Sequence, residues 1–224
     1  MKITFYGHAS LGIEVAGKHI IVDPYITANE LAKHIDINTL KADYILITHA
    51  HGDHILDVEA IAKNTGATIV SNAEIAGFYA GKGFTAHGMN HGGSWNFDFG
   101  KVKYVNAIHS SSFPDGSYGG NQGGFVIEAD KNIYIAGDTA LTYDMKLIPL
   151  RTKLDLAILP IGNNYTMDAE DAVIASDFVE CDNVLGYHYD TFGYIKIDHE
   201  ATKKLFDDKG KNLTLLEIGS SIEL

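Results

Sequence analysis

Seven consecutive residues constrain this chain more than any others: Thr48-His49-Ala50-His51-Gly52-Asp53-His54. So many imidazoles and a carboxylate in one short run do not suit a packed core, because such groups are costly to bury without partners. The stretch lies at a transition. Asp43-Tyr44-Ile45-Leu46-Ile47 comes before it, with the length and β-branched content of a buried strand. Residues 55–62 follow, with apolar positions at helical spacing. In extended backbone, side chains at i and i+2 point the same way, so His49 and His51 face one point beyond the strand end. Gly52 lets the chain turn there without a Cβ penalty. Asp53 and His54 then open the helix and face a second point nearby. Nitrogen donors to one point, with a carboxylate and a nitrogen to its neighbour, describe half of a two-metal centre. Such donors suit zinc, and also manganese or iron.

A complete centre needs further His, Asp or Glu at strand ends. His109 ends a predicted strand over 102–108. Asp138 follows the strand 133–136, and His188 follows the strand 184–187. Each alone could be a strand-end polar residue that is merely hydrogen-bonded. Their shared position at strand ends makes them the candidates to finish the site. His8, in the turn Gly7-His8-Ala9-Ser10, either reaches the site mouth or stays a surface-turn histidine. Asp23, before Pro24, either accepts the outer N–H of a ligand imidazole or caps its turn. His91 reads as a loop residue, and His19, His34, His87 and His199 as structural or solvated.

The segment His-x-His-x-Asp-His after a buried strand resembles the signature of the metallo-β-lactamase fold superfamily. The similarity runs from Gly7-His8-Ala9-Ser10 to the C-terminus. The rest of the chain looks like one branch of that superfamily, small metal-dependent hydrolases similar to L-ascorbate-6-phosphate lactonase-like proteins. The resemblance implies that His49, His51 and His109 hold one metal ion and Asp53, His54 and His188 the other, with Asp138 bridging. It implies two divalent ions, zinc first, with manganese or iron as alternatives. It also implies a shared hydroxide as nucleophile, Asp53 as both ligand and orienting base, and a role for His8 at the site.

The pattern of elements agrees with that fold class. Strands are expected at 2–6, 11–16, 18–22, 67–70, 84–87, 93–99, 125–128, 154–159 and 213–217. Helices are expected at 72–80, near 142–150, at 169–179 behind an Asp168 cap, and at 199–208. Residues 28–40 carry no clear pattern. The two halves share an order of strands first, then strands alternating with helices. Pattern alone gives α/β or α+β with mixed sheets. The resemblance adds a four-layer αββα sandwich. No linker is long enough to divide residues 1–224 into two domains. The glycine-rich stretch 116–124 lacks the Lys-Ser/Thr ending of a phosphate-binding loop and reads as a flexible loop or lid.

Composition narrows the partners. A formal net charge of −12 gives no general attraction for a polyanion, and no Lys/Arg stripe supplies a local one. The expected substrate is therefore a small molecule, with no nucleic acid and no membrane partner; self-association into a homo-oligomer is allowed. The single Cys181 fits a reducing compartment. With no signal-peptide pattern at Met1-Lys2-Ile3-Thr4-Phe5-Tyr6, the expected location is the cytoplasm. The activity expected is a metal-dependent hydrolase of a small ester, lactone or phosphoester. The alternatives are an iron-dependent thiol or persulfide redox enzyme on the same fold and a non-catalytic metal-binding protein.

Overall fold

The computed structural model describes all residues 1–224. Its backbone forms two mixed sheets packed face to face. The first contains β1 (Lys2–Gly7), β2 (Ser10–Val15), β3 (Lys18–Val22), β4 (Tyr44–Leu46), β5 (Thr68–Asn72) and β6 (Ala86–Met89) in sequence order, and a last strand, β14 (Ser221–Glu223), lies beside β1. The second runs in order through β7 (Ser94–Phe97), β8 (Gly100–Asn106), β9 (Gly123–Glu128), β10 (Asn132–Ile135), β11 (Leu156–Pro160), β12 (Asn183–Tyr187) and β13 (Asn212–Thr214). Each sheet begins antiparallel and ends parallel: β3 to β6 are parallel neighbours, and so are β10 to β13.

Side-chain alternation separates the layers. In β3, Ile20 and Val22 face the opposite sheet while Ile21 faces outward. In β10, Ile133 and Ile135 face inward and Tyr134 outward. The inner faces meet in one cluster that includes Phe5, Leu46, Val70, Phe125 and Ile158. The outer face of the first sheet is covered by α2 (Val58–Thr65) and α3 (Ala73–Gly81), through Val58, Ile61, Ile75 and Tyr79. The outer face of the second is covered by α4 (Ala169–Phe178) and α5 (His199–Asp208), through Ala172, Val173, Ala175 and Phe206. This is the four-layer αββα arrangement. Removing that much apolar surface from water, at about 25 cal/mol per Å², is what holds the layers together.

Several expectations need correcting. The helix expected over 55–62 is broken. A short α1 (Gly52–Ile55) ends at Leu56, and α2 begins after Asp57. The Asp57 carboxylate is buried and accepts from Ile26 N (2.6 Å), Thr27 N (2.9 Å) and Thr27 Oγ1 (2.5 Å), so it anchors the loop after Pro24. The unassigned stretch 28–40 forms two 3₁₀ turns, Glu30–Ala32 and Ile37–Thr39. The helix expected near 142–150 is a 3₁₀ turn, Tyr143–Leu147. The last expected strand, 213–217, is only Asn212–Thr214, and the chain then crosses to the first sheet as β14. Residues 119–124 are not a loose lid: all but Asn121 are buried. Asn72 Nδ2 donates to Gly119 O and Asn121 O, and Gly123 N donates to Thr48 O. No helix is long and apolar enough to cross a membrane.

Candidate metal centre

Strands β1, β3, β4 and β5 end at one edge of the first sheet, and β8, β10, β11 and β12 at one edge of the second. The two edges meet where His188 N donates to His8 O across 2.7 Å. Ligand sites in open α/β sheets gather at such carboxyl ends. Here His8, Asp23 and the 49–54 segment come from the first sheet, and His109, Asp138 and His188 from the second.

The donor atoms fall into groups. His49, His51 and His109 bring ligand atoms within 4.8 Å of one another, and so do His8, Asp53, His54 and His188. The buried Asp138 carboxylate lies between the groups. Its Oδ2 is 3.0 Å from His188 Nε2, 3.4 Å from His54 Nε2 and 3.8 Å from His109 Nε2. The structure therefore brings together the seven candidate metal donors, with His8 and Asp23 beside them.

Outer partners fix the rings. His54 Nδ1 donates to Asp23 Oδ2 (2.9 Å), which turns its Nε2 inward. Thr48 Oγ1 donates to the same Oδ2 (2.6 Å) and lies 3.0 Å from His49 Nδ1. With its proton on Asp23, Thr48 Oγ1 accepts from His49 Nδ1–H and frees His49 Nε2 in turn. Thr48 N donates to Asp23 Oδ1 at 2.8 Å. One wholly buried carboxylate thus sets the tautomers of two imidazoles, one from each group. His8 is buried, with Nε2 3.1 Å from Asp53 Oδ2 and Nδ1 3.0 Å from Thr191 Oγ1. It is no surface-turn residue. Its left-handed backbone (φ 55°), with Asp23 (φ 43°) and His188 (φ 56°), puts uncommon conformations at three strand ends facing the site.

The electrostatics call for positive charge at the centre. Burial works against the charged form of Asp138, yet His188 and His54 hold its carboxyl well below the usual carboxylate range. Burial likewise disfavours a charged His54, but Asp138 and Asp23 overcome it and raise the imidazole well above its ordinary value. For Asp53, the penalty of burial is outweighed by the hydrogen bond from His8 and the charge of His54, and the carboxyl stays low. Burial and the neighbouring His188 push His8 down to about 4, so it is neutral near pH 7. His54 Nε2, Asp138 Oδ1 and both nitrogens of His188 are buried with no hydrogen-bond partner. Buried donors and acceptors are rarely left this way, and a coordinated cation would satisfy His54 Nε2, Asp138 Oδ1 and the His188 nitrogen nearest Asp138. The donor set fits metal.

The cleft above these residues encloses about 540 Å³ and is lined by His51, Asp53, His109, Ser110, Asp138, Tyr165, His188, Phe192 and Tyr194. Ser110 Oγ reaches His51 Nε2 at 3.2 Å. Ser111 instead braces the loop, accepting from Ala50 N and donating to Gly119 O. His91 stays outside the cleft, bound through Nε2 to Gln122 O at 2.8 Å. Sequence reasoning gave no role to Thr48, although a hydroxyl directly before a ligand run is a usable signal. Tyr194 had no such signal.

Fold and donor chemistry together define a metal-dependent hydrolase of the metallo-β-lactamase class. The signature of the β-lactamase superfamily domain matches residues 2–188, and the chain belongs to that family. A relative from Flavobacterium johnsoniae described as a UPF0173 metal-dependent hydrolase is 80% identical, with all of both chains covered. Igni18, a metallo hydrolase from Ignicoccus hospitalis, is 36% identical, with a TM-score of 0.90 over 100% of this chain and 98% of that one. The diiron β-hydroxylase CmlA from Streptomyces venezuelae shares the fold at 15% identity, with a TM-score of 0.76 over 100% of this chain and 54% of its own.

Proposed function

We propose that this chain is a binuclear metallohydrolase acting in the cytoplasm on a small molecule, with an ester, lactone or phosphoester as the hydrolysed group. The observation that carries the reading is the convergence of two donor groups on the buried Asp138 carboxylate. His49, His51 and His109 would hold one ion, Asp53, His54 and His188 the other, and Asp138 both. Nitrogen and oxygen donors without a thiolate suit zinc first, then manganese or iron. Metal ions held there would supply a hydroxide nucleophile near neutral pH and polarise the scissile oxygen.

The chain's own residues prepare that chemistry. Asp23 and Thr48 keep the protons of His54 and His49 on Nδ1, away from the centre. His8 donates from Nε2 to Asp53 Oδ2 and fixes the carboxylate from behind. Asp53 faces the cleft, where a carboxylate oxygen can hold the proton of the attacking water. Phe192 packs edge-on against His8 with ring centroids 5.2 Å apart and shields it from solvent.

The test joins elemental analysis to a panel of aryl esters, lactones, phosphomonoesters, phosphodiesters, β-lactams and structured RNA, run with zinc and then manganese. Two ions per chain and turnover of small esters, lactones or phosphoesters are expected. Failure to take up metal on reconstitution would refute the binuclear centre. RNA cleavage with every small substrate untouched would refute the substrate class. Bound iron with oxygen uptake on thiols and no hydrolysis would replace the reading with redox chemistry.

A further inference from the structure

The cleft has an unusual charge pattern. Every ionisable group among its lining residues, apart from two tyrosines, is a candidate metal donor; no Lys or Arg is present. A substrate carrying an anionic group away from its reacting bond would find no cation to receive it. The chain as a whole is acidic, at −12, so no long-range field compensates.

What the cleft offers instead is aromatic surface. Tyr165 is 51% exposed and Tyr194 78% exposed, and neither side chain is packed away in the core. Phe192 completes the wall beside His8 and Tyr25. Both supporting loops are held firmly. Asn163 and Asn164 take left-handed conformations (φ 63° and 60°), Asn163 N donates to the carbonyl of the buried Met167, and Asn164 N donates to Asn163 Oδ1. On the other side, Ile195 is wholly buried, its N–H donates to Phe192 O, and its carbonyl accepts from Asp190 N. Tyr194 is thus carried on a short turn anchored one residue later. Exposing large rings on built turns gives nothing to folding, whereas a flat ligand in the cleft they both line would cover them.

We propose that Tyr165, Tyr194 and Phe192 form an aromatic clasp that selects substrates whose non-reacting part is an uncharged flat ring, and that substrates with a second, remote phosphate are poor. This rests on the hydrolase reading above and narrows it: the hydrolysed group reaches the metal donors, and the remainder of the molecule lies between the rings. The clasp holds the substrate in ground state and transition state alike, so its loss raises KM and leaves kcat nearly unchanged.

Three γ-lactones that differ in one substituent test this on the metal-loaded protein: phenyl, methyl and phosphomethyl. The phenyl lactone should have the highest kcat/KM and the phosphomethyl lactone the lowest. Tyr194→Ala and Tyr165→Ala should each raise KM for the phenyl lactone about three- to tenfold, the range expected for one aromatic contact, with little change for the methyl lactone. The exposed Tyr143, outside the cleft, serves as control through Tyr143→Ala. A phosphomethyl lactone whose lactone ring is opened as readily as the phenyl one's would overturn the proposal, as would Tyr variants that change both neutral substrates equally. If no lactone is hydrolysed, calorimetric binding of the phenyl and methyl lactones decides. Preference for phenyl that vanishes in Tyr194→Ala supports the clasp even as the reaction class falls, and equal binding of the two removes it.

Discussion

Asp23→Asn isolates the one carboxylate that serves both donor groups. The backbone there is left-handed (φ 43°), a conformation asparagine tolerates, so the fold is preserved. Thr48 N must still donate to Oδ1, which fixes the amide oxygen on that side. The amide nitrogen then replaces Oδ2, where two donors now converge: Thr48 Oγ1 at 2.6 Å and His54 Nδ1 at 2.9 Å. His54 avoids a donor–donor clash only by moving its proton to Nε2, the atom that faces Asp138. Thr48 accepts from the amide and turns its own proton toward His49 Nδ1, which sends the His49 proton to Nε2 as well. Both imidazoles then present N–H where a lone pair is needed. Loss of such an outer partner costs about 10- to 100-fold in metal affinity, or about 1.4–2.7 kcal/mol per ion. Replacing a buried charged acceptor also lowers the stability of the metal-free protein by about 1–3 kcal/mol. Chelator competition followed by elemental analysis reads the first effect, and denaturant unfolding reads the second. Wild-type affinity for both ions in Asp23→Asn would refute the tautomer argument.

Other predictions concern the ligand split, acid stability and the loop behind the site. His51→Ala and His188→Ala should each retain up to one ion, from different groups, and Asp138→Ala should hold less than either; wild-type metal content in Asp138→Ala would count against a shared carboxylate. The metal-free protein should lose stability as pH falls from about 6.5 to about 4. His8 is held near 4 when folded but titrates near 6.5 when unfolded, so the unfolded chain binds more protons in that window. The His8 contribution, about 3 kcal/mol, is complete above pH 6.5 and lost as pH falls through 4; a His8→Asn variant with the same slope of unfolding free energy against pH would contradict it. Gly119→Ala should cost about 1–3 kcal/mol by overpacking, because a Cβ there would lie 2.4 Å from Ala50 Cβ and 2.7 Å from Ser111 Oγ; an unchanged denaturation midpoint would mean that the loop is not packed there.

How much was legible in the sequence follows from which signals are local. Strands such as β4 and β10 could be read because each residue faces one of two apolar layers, which forces a short β-branched run. The donors of the 49–54 segment could be read because strand and helix geometry alone aims them at adjacent points. Asp138 and His188 were legible as strand-end polar residues, but only the second sheet brings them to the first. The β14 strand was not legible: Ser221 and Glu223 are exposed, and its pairing with β1 is made by tertiary contact alone. Glycine misled at 116–124. The same residue that frees a backbone also allows close approach, and Gly119 and Gly123 are there so that Ala50 and Tyr104 can pack against backbone. Helix 55–62 failed because the Asp57 side chain takes a tertiary role that no helical period encodes.

The shared order of elements in the two halves also explains where the metal donors sit. With β14 placed beside β1, both sheets hold seven strands in equivalent order, antiparallel through the first four and parallel through the last four. Strands β1 and β8 take the second place, and a histidine follows each: His8 and His109. Strands β3 and β10 take the fourth place, where the parallel run begins, and an aspartate follows each: Asp23 and Asp138. The first aspartate is wholly buried and orients imidazoles from outside, while the second faces the cleft and meets three imidazole nitrogens. Equivalent strand ends therefore supply the same residue types for different tasks, and what divides the tasks is the long insertion of donors after β4. No equivalent His-rich run follows β11; the corresponding loop there carries Asn163, Asn164 and Tyr165. One half thus brings most of the candidate metal donors, and the matching loop of the other half brings Tyr165 to the wall of the cleft.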